Sequence, residues 1–147
     1  MEIINISNNK KYLKEYAKLC YYEWSSKEKS LKSYINSKLN NTNNNIISVL
    51  ALIDNHTLIG FISLFKQDDD TLSNLTPWYA TMYVKKEYRN KGYSKLLNDA
   101  LIKEAKSLGY KKIYLKSTLA NYYEKFGAKE ITKFSRTDEK VFYIDLN

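Results

Sequence analysis

The sequence predicts one mixed α/β domain, α+β in character, with a central mixed β-sheet flanked by about four helices. Three observations carry that prediction. Apolar residues recur at helical spacing in some segments and gather into short branched and aromatic runs in others, in the order α-α-β-β-β-α-β-α-β-β. The run Trp78-Tyr79-Ala80-Thr81-Met82-Tyr83-Val84 is almost continuously apolar, as suits a strand in the middle of a sheet with both faces covered. No repeat and no linker divides the 147 residues, and a chain of that length buries roughly 70% of the surface it exposes when unfolded.

Taken in order, a further strand is expected at Ile3 to Ile6. Residues 9 to 24 place Tyr12, Leu13, Tyr16, Ala17, Leu19 and Cys20 along one helical stripe, with Cys20 as a small buried hydrophobe. Leu31, Tyr34, Ile35 and Leu39 mark a second helix, for which Ser25 or Ser26 offers a cap. The asparagine-rich stretch 40–45 is a loop, because Asn side chains compete for backbone hydrogen bonds. Runs Ile46 to Leu52 and Leu58 to Phe65 flank Asp54-Asn55-His56 and form a hairpin, with His56 a turn residue and Gly60 a bulge. Asp68, Asp69 and Asp70 read as a solvated loop. After the central strand, residues 92 to 108 form the clearest helix, and Gly109 caps it. Strand Ile113 to Thr118, short helix Ala120 to Phe126 ended by Gly127, and strands Ile131 to Phe134 and Val141 to Leu146 complete the chain.

Composition excludes several classes. A hydrophobic fraction of 44% is too high for a disordered chain, and 4 Gly with 1 Pro excludes collagen-like and linker-like composition. No apolar run approaches the roughly 20 residues of a membrane-spanning helix, and no signal-peptide pattern opens the chain. A soluble cytoplasmic protein is expected, without a membrane partner and without a metal. The net charge of +8 points to an anionic partner, but it is almost all Lys and spread through every segment; Arg89 and Arg136 are the arginines. With no base-reading motif, a nucleotide-like cofactor fits that charge at least as well as nucleic acid.

The junction 84–95, Val-Lys-Lys-Glu-Tyr-Arg-Asn-Lys-Gly-Tyr-Ser-Lys, joins the central strand to the clearest helix. A strand that turns straight into a helix leaves the first helical N–H groups unpaired, with about half a positive charge from the macrodipole. Gly92 admits close approach, and Arg89, Lys91 and Lys95 add positive charge, so the turn suits a phosphate or pyrophosphate. It is neither a Walker loop nor a dinucleotide fingerprint.

In sequence, Arg89-x-x-Gly92-x-Ser94 resembles the R/Q-x-x-G-x-G/A coenzyme A loop of the GNAT family of N-acetyltransferases, and 121–128, Asn-Tyr-Tyr-Glu-Lys-Phe-Gly-Ala, is similar to that family's second motif. Ser94 stands where Gly or Ala is usual, and Ala128 where an aromatic is usual. The resemblance implies the acyl-CoA N-acyltransferase fold over residues 1–147, with the strand at 113–118 splaying from the central strand near the cofactor. It implies acetyl-CoA as cosubstrate, with Met82, Tyr83 and Val84 along the pantetheine arm. Arg89, Asn90, Lys91, Gly92, Tyr93 and Ser94 would hold the pyrophosphate with Lys95 nearby, and Asn121 would touch the coenzyme. Tyr123 would protonate the leaving thiolate while a neutral amine attacks the thioester directly and the Val84 N–H supports the oxyanion. For the base, Glu23 and a chain of waters stay open, and Glu87 reads as a surface residue. The acceptor, a small-molecule or peptide amine, and a homodimer stay open too. A non-catalytic acyl-CoA-binding or nucleic-acid-associated module on the same fold is the alternative.

Overall fold

The computed structural model describes residues 1–119 and 121–147. Strands β1 (Glu2–Asn5), β2 (Ile46–Asp54), β3 (Thr57–Phe65), β4 (Trp78–Val84), β5 (Lys112–Ser117), β6 (Lys129–Glu130) and β7 (Lys140–Asp145) form one sheet in the order β1-β2-β3-β4-β5-β7-β6. Neighbours are antiparallel except β4 and β5, which are parallel. Helices α1 (Lys10–Trp24) and α2 (Leu31–Leu39) cover one face and α3 (Tyr93–Ser107) the other. Side chains of β2 alternate accordingly. Leu50 and Leu52 join Leu97, Leu101 and Ala105 of α3, while Val49, Ala51 and Ile53 join Tyr12, Leu13, Tyr16 and Cys20 of α1. Cys20 is buried, as expected. No helix among the described residues is long and apolar enough to cross a membrane.

Local chemistry sets the boundaries. Asn9 caps α1, its Oδ1 accepting from the Tyr12 N–H at 3.2 Å. Asn55 and His56 have φ of +47° and +61°, which closes the β2–β3 hairpin as a two-residue turn. The expected bulge lies at Ile59 and Gly60, where the register steps from Leu52–Gly60 to Ile53–Leu58. The cap of α2 is Ser30, whose Oγ accepts from the Ser33 N–H, and not Ser25 or Ser26; Ser25 instead ends α1, its N–H donating to the Tyr21 carbonyl.

Further expectations are corrected. Among the described residues there are three α-helices and not about four, because 123–126 closes as a single 3₁₀ turn. Asn121 (φ +59°) and Gly127 (φ +88°) both leave the right-handed region, so too few residues remain between them for an α-helix. Ala120, the expected first residue of that helix, lies outside the described residues. Residues 132–134 form a 3₁₀ turn where a strand was expected, and β6 takes the sheet edge at Lys129–Glu130. The three-residue spacing of Ile131 and Phe134 lets a tight turn seat both on the cluster of Phe65, Trp78 and Val141.

The acidic triplet is not wholly solvated either. The Asp69 side chain is 6% exposed, 3.2 Å from Arg136 and 3.6 Å from Lys116, so it ties the β3–β4 connection to β5 and to the turn before β7. Bonds from Thr71, then from Arg136, hold its carboxyl at about 2, below the ordinary 3.8, against a burial that pushes it upward. Ionised Asp69 therefore stabilises the fold above about pH 4, and the contribution fades as pH falls from 3.8 toward about 2. Asp69→Asn should lower the melting temperature by several degrees at pH 7 and converge with the native protein near pH 2. Parallel melting curves over that whole range would refute this role.

Candidate active site

The site begins where a ladder stops. β4 and β5 are in register at a single pair, Trp78 with Tyr114, reinforced by the Tyr114 N–H donating to the Pro77 carbonyl at 3.0 Å. Beyond it the strands part, as the resemblance implied. On its other side β4 stays paired with β3 as far as Val84 opposite Gly60, with the Lys85 N–H donating to the Ile59 carbonyl at 2.9 Å. That bond is the mark of a non-hydrogen-bonded Val84–Gly60 pair, so the Val84 N–H and C=O point away from β3, into the gap. A Cβ on Gly60 would lie 2.9 Å from the Tyr83 carbonyl oxygen, so this close approach requires glycine.

Between Ser63–Ala80 and Phe61–Tyr83, β4 carries two residues, Thr81 and Met82, against one on β3. Thr81 has φ +49°, a strained setting for a β-branched residue. A buried polar hook holds it there. Thr81 Oγ1 donates to Ser63 Oγ, which is 2.8 Å from Tyr16 Oη, and neither Tyr16 nor Ser63 is exposed. Burial pushes the Tyr16 phenol well above its ordinary value, so the hook is neutral at physiological pH.

The loop after β4 folds back on that strand. Arg89 Nε donates to the Val84 carbonyl at 2.8 Å, and its guanidinium carbon lies 5.7 Å from the centre of the Tyr83 ring. Asn90 (φ +64°) and Gly92 (φ +81°) then turn the chain into α3. Gly92 is the N-cap, without a side chain to accept from the helix, and a Cβ on it would meet nothing within 4 Å. The first N–H groups of α3 thus have no side-chain cap from Gly92, and the positive end of the helix lies behind them.

These pieces enclose a cleft of about 430 Å³. Of the expected site residues, Met82, Tyr83, Val84, Arg89, Asn90, Gly92, Tyr93 and Ser94 line it, joined by Glu23, Tyr88 and Tyr122. Lys91, Lys95, Asn121 and Tyr123 are not on its wall. Lys91 lies over the Tyr88 ring at 5.7 Å, Lys95 pairs with Asp99 at 2.7 Å, and Asn121 is exposed. The half-buried Tyr123 stands behind, its ring edge-on to Tyr79 at 5.5 Å and to Tyr122 at 4.8 Å, and burial pushes its phenol upward. Tyr122 Oη instead reaches the loop, 3.4 Å from Ser94 Oγ. Sequence reasoning assigned Tyr122 no role in the site. The sign that marks it is that it shares a wall with Ser94, a contact across 28 residues that spacing alone does not reveal.

Ser63→Ala should strand the buried Tyr16 hydroxyl, destabilising the protein by about 1–3 kcal/mol, measurable by urea unfolding. An unchanged midpoint would mean that the hook does not hold the bulge.

Comparison with known proteins bears on the whole chain. A model of the acetyltransferase (GNAT) family matches residues 10–128. Sequence comparison with curated proteins gave no match. Among solved structures, an aminoglycoside 6'-N-acetyltransferase complexed with coenzyme A is similar at TM-score 0.74 and 19% identity, covering 100% of this chain and 98% of that one. An N-acetyltransferase from Staphylococcus aureus Mu50 gives 0.71 and 17%, covering 100% of both chains. The PaiA N-acetyltransferase from Thermoplasma acidophilum, in complex with coenzyme A, gives 0.60 and 22%, covering 99% of both. At these identities the structures establish a shared fold, and the family model, spanning the cleft and both motifs, establishes that this chain belongs to the acetyltransferase (GNAT) family.

Proposed function

We propose that this chain is an N-acetyltransferase that passes the acetyl group of acetyl-CoA directly to a primary amine in a ternary complex, with no covalent acyl-enzyme. One observation carries the reading. The open edge of β4 and the uncapped N-terminus of α3 meet in one cleft, where an extended amide-bearing arm and a pyrophosphate would each find their complement. Met82, Tyr83 and Val84 hold the pantetheine arm. Arg89 to Ser94 wrap the pyrophosphate, with Lys91 and Lys95 nearby as positive charge and Asn121 a further contact. Ser94, which lines the cleft with its Oγ 3.4 Å from the Tyr122 hydroxyl, is an additional donor and not an obstacle.

Bound there, acetyl-CoA supplies an activated carbonyl carbon and a thiolate leaving group. The Val84 N–H donates to the carbonyl oxygen as negative charge gathers on it. The amine gives up its proton to Glu23, on the cleft wall, or to water. Tyr123 delivers a proton to the departing sulfur. Its raised phenol stays protonated at neutral pH, so the proton is present when needed, although a weaker acid is a less efficient donor. Tyr122 is the second candidate for that step, because it lines the cleft itself.

Calorimetric titration with acetyl-CoA should give micromolar binding. Gly92→Asp puts a carboxylate where the pyrophosphate lies and should weaken binding by at least about tenfold, roughly 1.4 kcal/mol. Retained affinity removes the loop from the site. Tyr123→Phe should lower kcat roughly tenfold or more with coenzyme affinity nearly unchanged. A normal Tyr123→Phe enzyme beside a crippled Tyr122→Phe enzyme would move the acid role to Tyr122.

A further inference from the structure

Beside the cleft, where the end of α1 meets α2, lies a second pocket of about 360 Å³. Trp24 lines it, and the Trp24 ring stands edge-on to Tyr83, a wall of the cleft, with centroids 6.3 Å apart. The indole thus lines one space and packs against a wall of the other, and Glu23, its neighbour in sequence, lines the cleft. Lys38 lines the second pocket, its ammonium 5.5 Å from the centre of the Tyr34 ring and 5.2 Å from that of Phe65. It takes part in none of the ion pairs found among the described residues. Burial lowers its proton affinity, and Cys20 and then Asp68, which is too distant for an ion pair, offset only part of that. A half-buried ammonium without a close counter-charge is costly, and an incoming anion relieves the cost. Lys29 and the Ser37 hydroxyl on the same wall add donors, and the lining is cationic on balance, two lysines against Glu28.

We infer that the acceptor amine carries an anionic group, a carboxylate or a phosphate, which Lys38 holds in this pocket while the amine reaches past Trp24 into the cleft beside Glu23. This rests on the proposed transfer of acetyl to an amine and narrows it to a class of acceptor. Two features agree. Glu23 supplies negative charge where the amine enters and Lys38 positive charge where the anion ends, which matches a bipolar acceptor. The net charge of +8 draws such an acceptor in and repels a polycation.

The test compares amines that differ by the anion alone: O-phosphoethanolamine with ethanolamine, and 4-aminobutyrate with 4-aminobutanamide. The anionic member of at least one pair should be acetylated with kcat/KM at least about tenfold higher, the two pairs telling phosphate from carboxylate. Lys38→Met keeps the aliphatic stem over Tyr34 and Phe65; it should erase the preference by raising KM for the anionic amine while kcat and the neutral partner stay unchanged. Lys38→Arg should restore it. Equal use of both members by the native enzyme, or a preference that survives Lys38→Met, overturns the inference and leaves acetyl transfer standing. Absence of acetyl-CoA binding in calorimetry, with no transfer to any amine, overturns both.

Discussion

Everything at the cleft depends on two parallel strands that touch once and then separate. A parallel pair gains less per residue from its slanted bonds than an antiparallel one, and twist pulls it apart unless side chains hold it. In this chain Trp78 and Tyr114 pin the two strands at one end, against a cluster that includes Phe65 and Val141. Beyond that pin, β4 keeps its partner on one side and loses it on the other. The backbone of Val84 is left pointing into a gap, and Arg89 occupies its carbonyl while leaving its N–H available. The cleft is thus a by-product of incomplete pairing, made useful by what lies around it.

Incomplete pairing alone would leave a floppy edge. The strand is stiffened from behind by Thr81, held in an unfavourable backbone setting by Ser63 and Tyr16. An apolar core could fill the same volume, but it could not specify which β4 residue bulges; a hydroxyl chain from α1 through β3 selects one. Strain at the site is set against hydrogen bonds in the core, and α1 becomes part of the site's support although only its last turn reaches the cleft.

Much of this was legible in the chain. The two-faced apolar pattern of β2, the unbroken run at 78–84 and the stripe of α3 each state a burial that physics then enforces, and the loop from Arg89 to Ser94 declares itself through one glycine among cations. What was not legible depends on distance in space. Nothing near residue 69 foretells Arg136, so three acids in a row look solvated when one of them is clamped. Nothing at Tyr122 and Tyr123 says which ring turns outward, because one 3₁₀ turn lacks a face long enough to show a period. Ser30 takes a capping role open equally to two earlier serines, and only the turn at Lys27, with φ +63°, decides it.

The two tryptophans sit in opposite circumstances. Trp78 is wholly buried with its Nε1–H donating to the Leu75 carbonyl at 2.7 Å, whereas Trp24 is 47% exposed on the wall of the second pocket, with its ring against Tyr83 of the cleft. Their emission is therefore separable: a blue, unquenchable component that reports the integrity of the sheet, and a red component, open to acrylamide, that reports that wall. The protein carries its own two-channel optical probe, one channel for folding and one for occupancy, with no label attached.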